Sequence, residues 1–115
     1  MPVRIQRKRT KGWKMPENTI DCTRPGPWGN PFQTVKHGFS KENDFWLHRS
    51  ALIDDGTPLS DADLGERVAE WRKWVLYNIH ELRGKNLACW CALPAPYERD
   101  RCHAATLIEL ANKEP

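Results

Sequence analysis

Apolar side chains at Leu64, Val68, Trp71, Val75, Ile79 and Leu82 recur every third or fourth residue, while Glu66, Arg67, Glu70, Arg72 and Lys73 fall mainly between them. Side chains three and four apart share one face of an α-helix, so residues 60–83 are predicted to form one long amphipathic helix. Gly84 tolerates the left-handed backbone that closes a helix and is its natural stop. A second helical stretch is signalled by Phe45, Trp46, Leu47, Ala51, Leu52 and Ile53, with Ser40 ahead of Glu42 and Asn43 as the helix start. His48 on this stretch, like His37 and His80, reads as a surface or partly packed residue. A third helix is predicted over residues 102–112, where Ala105, Leu107, Ile108 and Ala111 supply the apolar face. Short alternating or β-branched stretches at residues 3–9, 19–23 and 86–91 are predicted strands, the first at an edge. Elements in this order point to an α/β fold: a small single-layer sheet of three or so mainly parallel strands covered by helices, compact and Rossmann-like.

The 115 residues suffice for one modest core and not for two, so residues 1–115 are expected to form a single domain, with 1–14 as a basic N-terminal arm or edge strand. A hydrophobic share of 39% and a charged share of 29% describe a soluble globular chain. Every apolar run falls well short of the roughly 18 residues of a membrane span, and no apolar signal core follows the basic start. No membrane partner is expected, and the expected location is cytoplasmic. Charge adds an asymmetry. Arg4, Arg7, Lys8, Arg9, Lys11 and Lys14 put six cations and no acid into residues 1–14, so of the net +3 this arm carries +6 and the rest −3. Clustered cations beside Trp13 suit a nucleic-acid backbone, although the same composition describes a solvated terminus.

Two segments carry candidate chemistry. In residues 24–32, Arg24-Pro25-Gly26-Pro27-Trp28-Gly29-Asn30-Pro31-Phe32, two glycines and three prolines exclude regular structure. Such a rigid loop suits the wall of a binding site, with Arg24 as a forked anion binder and Asn30 as a two-way hydrogen bonder. It equally suits a turn whose Trp28 and Phe32 cap the core while Asn30 bonds its own backbone.

In the second segment Cys89 and Cys91 alternate onto one face of the predicted strand, and Cys102-His103 opens the last helix. Zinc prefers thiolate and imidazole in a tetrahedron, so Cys89, Cys91, Cys102 and His103 are candidate zinc ligands. Both ligand pairs are tighter than the usual gap of about two to four residues. Without a metal, the same helix start lowers a thiol pKa and attracts anions. A phosphate could then sit on Cys102 and His103 with Arg24, leaving Cys91 or Cys102 as a nucleophile. Buried, inert cysteines with a capping histidine are the third reading.

These motifs together resemble a known family. Lys11-Gly12-Trp13 with Pro16-Glu17-Asn18-Thr19, then Arg24-Pro25 and Trp28-Gly29-Asn30-Pro31-Phe32, then Leu82-Arg83-Gly84-Lys85-Asn86-Leu87-Ala88-Cys89-Trp90-Cys91 with Cys102-His103 and Leu110-Ala111-Asn112, look like the family catalogued as domain of unknown function 4326, found in bacteriophages and bacteria. The resemblance covers nearly the whole chain. It implies that Arg24, Trp28, Gly29, Asn30, Cys89, Cys91, Cys102 and His103 are signature positions and that Cys22 is not. It implies no activity. A phage origin would make the location the host cytoplasm.

The expected function is a domain that binds a nucleotide-derived or nucleic-acid ligand in a pocket between the 24–32 loop and the 89–103 segment, with Arg24, Trp28, Gly29, Asn30, Cys102 and His103 as ligand-binding residues. Arg4, Arg7, Lys8, Arg9, Lys11 and Lys14 would form a nucleic-acid arm. A zinc-stabilised interaction module contacting a host protein or DNA is the alternative. A small enzyme acting on a nucleoside or base, with a cysteine nucleophile or a zinc-bound water, is a further one.

Overall fold

The computed structural model describes residues 2–23, 26–32, 38, 40–53 and 66–113. Its centre is β3 (Asn86–Cys89), flanked by β1 (Arg4–Gln6) and β2 (Thr19–Asp21) in a three-stranded sheet of order β1-β3-β2. Both pairings are parallel, with Arg4 opposite Leu87 and Ile20 opposite Leu87 on the other side. A strand paired on both edges and covered by helices reads as a continuous apolar run, and Leu87, Ala88 and Cys89 are all buried. The fold is α/β, as its pattern predicts.

Three α-helices accompany the sheet among the described residues: α1 (Lys41–Leu52), α2 (Glu66–Asn78) and α3 (His103–Ala111). Ser40 caps α1, its hydroxyl accepting the Asn43 N–H at 3.1 Å. Leu52, Val75, Leu82, Leu87 and Leu107 join Cys22, Cys89 and Cys102 in one core. Arg49 of α1 donates from both terminal nitrogens to Glu109 of α3, at 2.5 and 3.2 Å, and so fixes the two helices face to face. No helix among the described residues is long and apolar enough to cross a membrane.

Each predicted strand is shorter in the structure, β2 and β3 for a local reason. β2 stops at Asp21 because its carboxylate takes the Thr23 N–H at 2.9 Å and the Thr23 hydroxyl at 2.7 Å, a side-chain turn that competes with the ladder. β3 stops at Cys89, where the chain bends at Trp90 and Cys91. Where one long helix is predicted, the described part is α2 followed by a 3-10 turn over Ile79–Leu82; Leu64 lies outside the described residues. The side chain of Asn78 donates to the Trp74 carbonyl at 2.8 Å, where the helical backbone would bond, and the last turn tightens. Gly84 then adopts φ +76°, a conformation that strains any side chain. Its N–H binds the Asn112 side chain, and its carbonyl takes the Asn18 amide, so the turn into β3 is tied to the end of α3.

His48 corrects its surface reading. It is fully buried, between Trp71 at 5.4 Å and His103 at 5.5 Å between ring centroids. Phe45, His48 and Leu52 lie three and four apart and share the covered face of α1. Neither ring nitrogen of His48 has a hydrogen-bond partner, and burial pushes its pKa well below the ordinary histidine value, so the ring is neutral. His80 is exposed, and His37 lies outside the described residues.

Leu87→Ala should lower the unfolding free energy by about 2–5 kcal/mol in urea titration, whereas Leu93→Ala, 53% exposed, should change it by under about 0.5 kcal/mol. The Arg49 hydrogen bonds hold the Glu109 carboxyl below its ordinary pKa. The native state therefore binds that proton less readily than the unfolded chain, and the contribution is present above the unfolded value and lost as pH falls through the native one. Because Glu109 is half exposed, Glu109→Gln should cost no more than about 1 kcal/mol at neutral pH, with the difference from the parent vanishing in strong acid.

Candidate metal centre

The parallel sheet delivers the ends of all three strands to one edge, where the Arg7 N–H bonds the Cys89 carbonyl and the Cys22 N–H bonds the Ala88 carbonyl, each at 2.8 Å. Cys89 closes β3 and is buried; Cys91, two residues on, is exposed; Cys102 is buried at the N-cap of α3. The three sulfur atoms lie within 4.8 Å of one another, with Cys89 Sγ and Cys91 Sγ 3.8 Å apart. All are free thiols. A cluster of this size could hold a metal ion.

His103, the first residue of α3, places Nε2 2.6 Å from the Cys22 carbonyl oxygen and Nδ1 3.8 Å from Cys102 Sγ. A carbonyl only accepts, so Nε2 carries the hydrogen and donates it. Nδ1 is the ring nitrogen that faces the thiol side. Metal-binding histidines are commonly oriented in this way, the second nitrogen donating to a backbone carbonyl.

The three thiols perturb one another in opposite directions. Hydrogen bonds from Cys102 and then Cys91 pull the Cys89 thiol strongly down, against burial. Its hydrogen bonds to Cys89 and Cys91, with burial, push Cys102 strongly up. Cys91 is drawn down by Cys102 but more than offset by Cys89 and by burial, and ends raised. Cys22 stands apart: burial, then the charge on Cys89, pushes it up to about 12.

Arg4, expected on the exposed arm, is buried beneath this cluster. Nε donates to Asp100, and the two terminal nitrogens donate to the Cys91 carbonyl at 2.8 Å and the Ala92 carbonyl at 2.6 Å. A guanidinium so engaged is not available to a phosphate; it fastens the 92–100 loop to β1. Arg7 pairs with Asp21 at 2.9 Å and reaches the Thr23 hydroxyl at 3.2 Å. Arg7 and Arg9 both lie over the Trp90 ring. Lys8, Lys11 and Lys14 are exposed.

Among the other predicted ligand-binding positions, Arg24 lies outside the described residues. Trp28, Gly29 and Asn30 are buried. Trp28 packs on Trp74 at 4.8 Å, and Asn30 donates to the Asp44 carbonyl at 3.1 Å while accepting the Phe32 N–H at 2.9 Å. This part of the loop holds the core and α1 together, and its asparagine bonds its own backbone as a rigid turn does. Sequence reasoning missed the Arg4 clamp and the Cys22 carbonyl. Cys22 acts through its backbone, which no residue type announces; Arg4 alternates with the apolar Val3 and Ile5, a signal that its side chain and theirs face opposite ways but not that its side is covered.

No curated protein and no solved structure matches the chain. The profile of one family, described as domain of unknown function (DUF4326), matches residues 5–113. That span takes in all of the sheet but Arg4, the three helices, the thiol cluster and His103, and the chain belongs to this family.

Proposed function

We propose that the protein is a zinc-centred α/β domain that binds a nucleotide-derived or nucleic-acid ligand at the carboxyl edge of its sheet. One observation carries the reading: three thiol sulfurs within 4.8 Å of one another, beside an imidazole whose Nε2–H is already committed to the Cys22 carbonyl. Soft thiolates with one imidazole select zinc over magnesium or calcium, which prefer oxygen. The close Cys89–Cys91 spacing is accommodated because Cys91 lies in a bend beyond the strand. Three thiolates around a divalent cation leave one negative charge, which the Arg4 guanidinium and the positive end of α3 offset. The ligand class rests on the cations of the N-terminal segment that remain exposed, Lys8, Arg9, Lys11 and Lys14, of which Arg9 lies over Trp90 between Cys89 and Cys91.

His103, taken as a fourth donor beside the three thiols, would also bear on the enzyme alternative. A closed tetrahedron leaves no position for a metal-bound water, and a cysteine committed to metal is not a free nucleophile. Zinc at Cys89, Cys91, Cys102 and His103 would join the end of β3, the 92–101 loop and the start of α3, a structural task.

Metal analysis of the purified chain should find one zinc per molecule. Cys89→Ser and Cys102→Ser should abolish it, and cobalt in its place should give thiolate charge-transfer absorption. A folded protein with neither zinc nor cobalt binding would sink the proposal. Arg4→Met should weaken zinc binding roughly 10–100-fold in a competition assay with a chromophoric chelator, as loss of a supporting group does; an unchanged affinity would remove Arg4 from the centre.

A further inference from the structure

We propose that Trp90, with Arg7 and Arg9, is a platform on which single-stranded nucleic acid stacks its bases. The inference deepens the nucleic-acid reading of the proposed function and rests on it. Trp90 stands between Cys89 and Cys91, yet its side chain turns away from the core and stays 39% exposed. Burial would be the ordinary fate of a ring this large, and the sulfur cluster beside it is mostly buried. Instead the ring is met by two cations: the guanidinium carbon of Arg7 lies 4.4 Å from its centroid and that of Arg9 4.7 Å.

The two arginines are held differently. Arg7 is anchored by Asp21 and Thr23, and its backbone N–H is bonded to the Cys89 carbonyl, so its plane is fixed relative to β3. Arg9 is exposed and continues a cationic run through Lys11 and Lys14, with no acid among residues 1–14. Lys8 is exposed beside it. An aromatic and guanidinium surface continued along the chain by exposed cations matches the two needs of a single strand. Bases stack on rings and on guanidinium planes, and phosphates follow the cations. A duplex keeps its base faces stacked inside and would engage only the cations. An acidic peptide would likewise use the charges and leave the ring idle.

The metal centre sets the position of this platform. Cys89 and Cys91 bracket Trp90, so holding both sulfurs holds the ring between them, while Arg4 fixes the carbonyls of Cys91 and Ala92 just beyond. Stacking surfaces gain most when the ring is rigid before the ligand arrives.

The test is fluorescence anisotropy of a labelled oligothymidine, a duplex of the same length, heparin as a polyanion without bases, and an acidic peptide, all with the full chain. Zinc content is measured on each preparation. The single strand should bind more tightly than the duplex. Trp90→Ala should weaken the single strand roughly ten- to hundredfold and leave heparin and zinc content unchanged. Trp90→Phe, which keeps a ring, should retain most of the affinity. Lys8→Gln and Lys11→Gln should each lower the slope of log affinity against log salt by about 0.7. Equal binding of single strand and duplex, or a Trp90→Phe protein as weak as Trp90→Ala, would overturn the platform, as would an acidic peptide whose affinity depends on Trp90 while the oligothymidine does not bind. Single-strand binding in a protein that holds no zinc supports the platform and sinks the metal centre instead; a zinc-loaded protein that ignores the oligothymidine does the reverse.

Discussion

Three sulfur atoms crowded at the end of one strand are the constraint around which this molecule is arranged. Two thiolates 3.8 Å apart would repel by about 4 kcal/mol at the effective dielectric of a partly buried site, so the cluster cannot be fully ionised without a cation among the sulfurs. Hydrogen bonding among the thiols acts in the same sense, pulling the Cys89 thiol down and pushing Cys102 up. The surroundings are built for negative charge: the Arg4 guanidinium bonds the carbonyls just past Cys91, and the start of α3 turns its positive end toward Cys102. The His103 ring beside it is held in orientation by the Cys22 carbonyl.

The parallel sheet makes that crowding unavoidable. β3 lies between β1 and β2, and in a parallel sheet all strands end on the same edge, so the chain leaving β3 meets the segments that leave β1 and β2. Cys22 and Arg7 reach the cluster for this reason, through backbone bonds to β3. Behind the edge, α1 and α3 close over an aromatic layer in which His48 touches both Trp71 and His103. Buried polar atoms of His48, Trp71 and Thr106 lack partners there, an arrangement that stays stable only while the histidine is neutral and the packing around it intact.

Much of this architecture is legible in the amino-acid order. The spacing from Val68 to Val75 announces α2, Ser40 announces the start of α1, and the apolar run through Leu87 and Ala88 announces the central strand. These features are local, set by periods and caps that each segment carries within itself. The grouping of Cys89 and Cys91 is legible too, because two residues along a strand restore the same face. Less legible are the points where a side chain ends an element: Asp21 turning onto Thr23, or Asn78 taking the Trp74 carbonyl, both plausible alternatives to regular structure that only the competing contacts select.

The amino-acid order by itself therefore determined the inventory: three helices, three strands, a cysteine-rich strand end, a basic start and membership of one family. Only the tertiary structure decided which members of that inventory meet. It took Arg4 out of the basic arm and buried it against Asp100, because β1 lies beside β3 and its side chain falls under the loop that leaves Cys91. It buried His48 by packing α1 against α2 and α3. It set Arg7 and Arg9 over Trp90, more than eighty positions away in the chain. Pairings across such separations depend on strand order and register, which no local pattern encodes.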